Sequence, residues 1–73
     1  MKLRMQALRE RRGWTRAALS RVALLQPPRV SAIELGRATP AGDSVELLRL
    51  KIALSWSGAP VELLDRVDDE VDE

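Results

Sequence analysis

Three breaks divide the first forty residues: Gly13 ahead of Trp14-Thr15, the run Gln26-Pro27-Pro28, and Gly36 followed by Pro40. Glycine after a helical run stops it, and proline is welcome only in the first turn of a new helix. The segments between these breaks therefore hold about three helical turns at most. Helices that short are stable only when they pack against one another, so the chain must be a cluster of short helices around a shared core.

The apolar spacing agrees. Leu3, Ala7 and Leu8 recur at helical intervals through Lys2 to Arg12, which predicts a first helix there. Thr15 is a good N-cap, and Ala18, Leu19, Val22 and Ala23 continue an apolar face over a second helix of about eight or nine residues. A third helix opens at Pro27 and runs to about residue 35, with Val30 and Ile33 facing inward and a loop from Ala38 to Gly42 after it.

Asp43 with Glu46 three residues on has the form of a capping box, and an apolar helix follows to Trp56. Val45, Leu48, Ile52 and Trp56 share one of its faces and Leu47, Leu50 and Leu54 an adjacent one, a stripe wide enough to predict burial on two sides. Ser57-Gly58-Ala59 reads as a turn and Pro60 as the start of a fifth short helix through about Val67. No strand pattern, internal repeat or low-complexity linker is visible. The expected architecture is a compact all-α five-helix bundle formed by residues 1–67, with 68–73 as a frayed acidic tail.

Composition narrows the chemistry. The 73 residues include no cysteine and no histidine, which removes disulfides, thiolate and imidazole metal ligation, and the catalytic pairs that use those groups. There is no glycine-rich phosphate loop and no spaced carboxylate cluster outside the tail, so neither an enzyme nor a metal or other cofactor is expected. The run Asp68 to Glu73 reads as a solubilising tail. No apolar run approaches the roughly 18 to 20 residues of a membrane span, and the basic start lacks the apolar stretch of a secretory signal. A cytoplasmic protein without a membrane partner is expected.

Charge is unevenly distributed. Residues 1–51 carry eleven Lys or Arg against four acidic residues, a net +7, whereas the last 22 carry Arg66 against seven acidic residues, a net −6. A basic body favours a polyanion, which places any nucleic-acid surface in the first two thirds of the chain.

The stretch Gly13-Trp14-Thr15-Arg16-Ala17-Ala18-Leu19-Ser20, continued by Arg29-Val30-Ser31-Ala32-Ile33-Glu34-Leu35-Gly36-Arg37-Ala38-Thr39-Pro40, resembles the phage repressor and Cro-like (Xre) helix-turn-helix family. The likeness runs without a gap from Leu8 to Pro40. It implies a lambda repressor-like DNA-binding domain and a sequence-specific regulator of transcription, a repressor of phage or bacterial genes, with helix 3 in the major groove of double-stranded DNA. In that family an arginine of helix 1 pairs with a glutamate near the end of the recognition helix, a role that falls to Arg9 and Glu34. Arg16 stands where the family has glutamine near the phosphate backbone, and Arg37 is placed to touch the backbone at the other end.

Two departures bear on how the helix is used. Pro27, Pro28 and Ala32 replace side chains that hydrogen-bond to bases, leaving base reading to Arg29 and Ser31, with apolar contact of Pro or Ala to a thymine methyl. Gln26 is either a further base reader or simply the helix cap. Leu24 stands where the family has glycine in the turn, so either the turn is built differently or helix 2 runs on a little longer.

Trp14 is expected in the core. Trp56 with Leu50, Leu54, Val61 and Leu64 would either close the core or form a two-fold homodimer interface, which in turn implies a pseudo-palindromic operator. The competing functional classes are a protein-interaction adaptor built on the same fold, such as an antirepressor or a polymerase-binding factor, and an antitoxin.

Overall fold

Each glycine and proline break becomes a helix boundary. The computed structural model describes residues 1–68 and has four α-helices there: α1 Arg4–Arg11, α2 Arg16–Ala23, α3 Pro27–Glu34 and α4 Val45–Ala53. Thr15 caps α2, its hydroxyl accepting the Ala18 N–H at 3.1 Å. Gly36 leaves α3 with φ of 77°, a conformation that costs glycine little and other residues more.

The cap of α4 lies one residue later than the Asp43/Glu46 pattern implies. Ser44 is the N-cap, its Oγ accepting the Leu47 N–H at 3.2 Å. Glu46 is thereby moved out of the capping-box position and its carboxylate is free to point elsewhere. At its other end α4 stops at Ala53 instead of reaching Trp56. Ser55 takes a positive φ of 53°, and Lys51 Nζ donates to the Trp56 and Gly58 carbonyls at 2.6 and 2.9 Å, fastening the chain after it has left the helix.

The turn between α2 and α3 keeps its left-handed residue although that residue is leucine. Leu24 sits at φ 60° and ψ 42°, and the Leu25 N–H closes onto the Ser20 carbonyl at 2.8 Å. A left-handed non-glycine residue costs about 1–2 kcal/mol, and the 75% exposed Leu24 side chain recovers little of it by burial. Leu24→Gly is therefore expected to raise stability by about 0.5–1 kcal/mol, the relief being partly offset by the extra freedom of glycine in the unfolded chain. Urea unfolding checks this, and a loss of stability would show that Leu24 is held by contacts that outweigh its backbone strain.

Every helix contributes to one core. Met5 and Leu8 from α1, Leu19 from α2, Val30 and Ile33 from α3, and Leu47 and Leu50 from α4 are all essentially inaccessible, together with Leu54 and Leu63 beyond them. Trp14 is half-buried against this cluster, with the Arg12 guanidinium 5.6 Å above its ring.

The described residues are mostly helical, as expected, but they add a small two-stranded sheet, and the expected fifth helix through Val67 takes another form. Pro60–Leu64 is a 3-10 helix, and at Asp65 the backbone becomes extended (φ −69°, ψ 144°). The extended segment, β2 (Arg66–Val67), pairs antiparallel with β1 (Lys2–Leu3), in the register Lys2 to Val67 and Leu3 to Arg66. Arg4 reinforces this clasp: its N–H donates to the Asp65 carbonyl at 2.7 Å and its Nη1 to the Glu62 carbonyl at 2.9 Å. Five residues are too few for a periodicity to separate an α-helix from a 3-10 helix, and a two-residue strand has no alternation to read. Asp68 is exposed, and the rest of the expected acidic tail, 69–73, lies outside the described residues.

Candidate nucleic-acid interface

α3 packs on α2 with Val30 and Ile33 turned inward. Its opposite side carries Gln26, Pro27 and Pro28, which are exposed, and Ser31 and Ala32, which are half-exposed. Gln26 occupies the N-cap position of α3 but makes no capping hydrogen bond with its side chain. Arg16 is the first residue of α2, and Arg37, exposed just past Gly36, is tied by its N–H to the Ala32 carbonyl at 2.8 Å. The residues expected to meet DNA thus include two cations at the ends of the helix pair and a surface of small or rigid side chains between them.

What holds α3 in this pose is a buried charge network. Arg9 Nε and Nη2 donate to the two carboxylate oxygens of Glu34 at 2.8 and 3.1 Å, a two-bond pairing that joins α1 to α3. The Glu34 side chain is 0% exposed and that of Arg9 9%. Arg9 Nη1 also donates to the Trp14 carbonyl at 2.6 Å, bringing in the α1–α2 turn. A buried carboxylate that accepts several charged hydrogen bonds is geometrically constrained, which is what an orienting contact requires.

Two partners of these arginines were not foreseen from the sequence. Arg16 Nε donates to Glu34 Oε1 at 2.9 Å, so the residue expected on phosphate is anchored from below, its side chain still 36% exposed. Arg29 is gripped by Glu46 of α4, with Nε to Oε2 at 2.6 Å and Nη2 to Oε1 at 2.7 Å. Hydrogen bonding to Arg29 holds the Glu46 carboxyl below its ordinary pKa, and the same bond raises the guanidinium pKa of Arg29, so the pair is fully ionised near neutrality. Seventeen residues separate Arg29 and Glu46, and no local pattern joins them.

The residues expected at a two-fold interface do not form a free surface. Leu50 and Leu54 are fully buried within the chain's own core. Trp56 is half-buried, covered on one face by the Arg4 guanidinium at 5.0 Å, and its indole N–H donates to the Ala59 carbonyl at 3.1 Å. Leu64 is half-buried against the core, which leaves Val61 as the exposed member of the set. Of the two faces of the apolar stripe on α4, only one is covered where burial on both was expected: Leu47 and Leu50 point in, while Val45, Leu48 and Ile52 point out, Ile52 being 68% exposed. A hundred degrees of rotation per residue separates these two sets, and the position of α4 against its neighbours decides which is covered.

Among the described residues, no helix is long and apolar enough to cross a membrane, and no group of acidic side chains is arranged to hold a metal ion. A family model described as helix-turn-helix matches residues 5–54, from α1 to the end of α4. No curated protein and no solved structure matches the chain.

Proposed function

The chain belongs to the Xre/Cro-like helix-turn-helix family, a family of DNA-binding regulators, and from that premise we propose that it is a sequence-reading repressor of phage or bacterial genes. α3 enters the major groove of double-stranded DNA with Arg29 and Ser31 as its hydrogen-bonding readers, Gln26 at its leading end, and Pro27, Pro28 and Ala32 offering apolar contact. Arg16 and Arg37 grip the phosphates on either side. No reaction is catalysed, and the work is done in the cytoplasm, beside the genome. The observation that carries this reading is the outward face of α3, left open while Glu34, Val30 and Ile33 fix the helix from behind.

Binding to a random-sequence duplex should weaken steeply with salt, because each phosphate contact releases condensed counterions. Arg37→Gln is expected to make the slope of log K against log salt shallower by about 0.9, and Arg16→Gln to act in the same direction. Fluorescence anisotropy over a salt series measures both. Salt-insensitive, negligible binding of the wild type would favour the adaptor reading, for which the exposed Val45, Leu48 and Ile52 supply a docking face.

In the repressor reading a second copy docks on those residues and on the exposed Val61, so that two recognition helices meet the half-sites of a pseudo-palindromic operator.

A further inference from the structure

Arg29 is the third residue of α3, and its side chain turns toward α4. The Glu46 carboxylate meets the guanidinium edge formed by Nε and Nη2, making two parallel hydrogen bonds. The pair stays open to solvent, with side-chain exposures of 39% for Arg29 and 29% for Glu46. A guanidinium carries five N–H donors in one plane, and this pairing engages one from Nε and one from Nη2. The edge formed by Nη1 and Nη2 keeps two parallel donors, the arrangement that matches O6 and N7 of guanine.

The choice between base and phosphate matters for an arginine beside a groove. A loosely held arginine binds the nearest phosphate, a contact that adds affinity for every sequence and information about none. A carboxylate locked on its side edge removes most of that pull, by cancelling the charge and by fixing the plane of the guanidinium. Glu46 is well placed to do this, because the adjacent Leu47 is fully buried and Ser44 caps the turn that carries it. With Pro27, Pro28 and Ala32 unable to hydrogen-bond to a base edge, hydrogen-bonded reading by α3 falls to Arg29 and Ser31, and of the two only Arg29 can make the two-donor contact to guanine.

We propose that Glu46 is a specificity-determining positioning residue, which presents Arg29 as a guanine reader and keeps it from serving as a mobile phosphate-binding cation. The proposal rests on the DNA-binding reading given above.

The test uses the full chain as wild type, Glu46→Ala, Glu46→Asp and Arg29→Ala, with two readouts: affinity for a random-sequence duplex over a salt series, and base enrichment in duplexes selected from a random library. The wild type is expected to enrich guanine at a position where Arg29→Ala loses it. Glu46→Ala should bind random duplex more tightly, with a salt slope steeper by about 0.9 as the freed arginine takes a phosphate. Its guanine enrichment should fall on the order of tenfold. Glu46→Asp, which keeps the charge, should recover the wild-type slope and part of the guanine preference. Glu46→Gln, of the same shape, repeats the comparison if alanine lowers stability, and is expected to move both readouts in the same direction by less.

Wild-type slope and guanine enrichment in both neutral variants would overturn the proposal while leaving DNA binding standing. So would a uniform loss of affinity for all sequences, which is what a merely structural role would produce. A wild type without salt-dependent affinity for any duplex would overturn the DNA-binding reading and this proposal with it.

Discussion

Glu34→Ala is expected to cost about 3–5 kcal/mol, the range for removing one partner of a buried ion pair, and so to unfold a large part of the population of so small a domain. The Glu34 side chain is completely inaccessible and accepts two hydrogen bonds from Arg9 and one from Arg16. Its removal takes away both close charged acceptors of the buried Arg9 guanidinium, which keeps the neutral Trp14 carbonyl and, more distantly at 3.7 Å, the more exposed Glu10 carboxylate. Arg16 contributes less to the loss, since its side chain is partly exposed and water can take over. Domains of this size have a total stability of about 4–11 kcal/mol at the usual 0.05–0.15 kcal/mol per residue, so the loss should be plain in a urea titration followed by circular dichroism. A loss below about 1 kcal/mol would mean that the network behaves as an ordinary surface pair.

The double change Arg9→Met with Glu34→Leu separates two contributions to that loss. Replacing a buried pair by apolar side chains of similar volume is often neutral or stabilising, so the double variant should be markedly more stable than Glu34→Ala alone. Its recognition helix would then be held by packing without the directional carboxylate, and the effect on DNA affinity would show how much of the pose depends on orientation rather than on stability.

Leu50→Ala should cost about 2–5 kcal/mol, the range for truncating a fully buried leucine, and the loss should not depend on protein concentration, because Leu50 is packed inside its own chain. Ile52→Ala, two residues on and mostly exposed, should change the stability of the monomer by less than about 0.5 kcal/mol. If the proposed second copy docks on this face, Ile52→Ala should instead weaken that association, as read by sedimentation equilibrium. The reverse pattern, a folded Leu50→Ala that has merely lost its partner, would return Leu50 to an intermolecular surface.

The contrast between Leu50 and Ile52 also marks how far the sequence was legible. Both belong to one apolar stripe, and a hydrophobic pattern reports how much of a helix avoids water without saying which neighbour covers it. The tie between Arg9 and Glu34 was accessible only through family resemblance. Their meeting across the core is not visible in spacing, whereas the cap at Thr15 and the inward Val30 and Ile33 follow from residues a few positions apart.

The short helices between glycine and proline breaks were determined by the sequence alone, because caps, stops and helical periodicity act within a turn or two. That locality also explains the errors at α4: a capping pattern one residue out of step, and an end set by Lys51 reaching carbonyls beyond the helix. Only the tertiary structure decided that Arg16 shares Glu34 with Arg9, that Glu46 holds Arg29, and that the two ends of the domain close as a small sheet. These are long-range pairings between charged or backbone groups with many local alternatives, and the packing of the helices selects among them by choosing which partners come within hydrogen-bond reach.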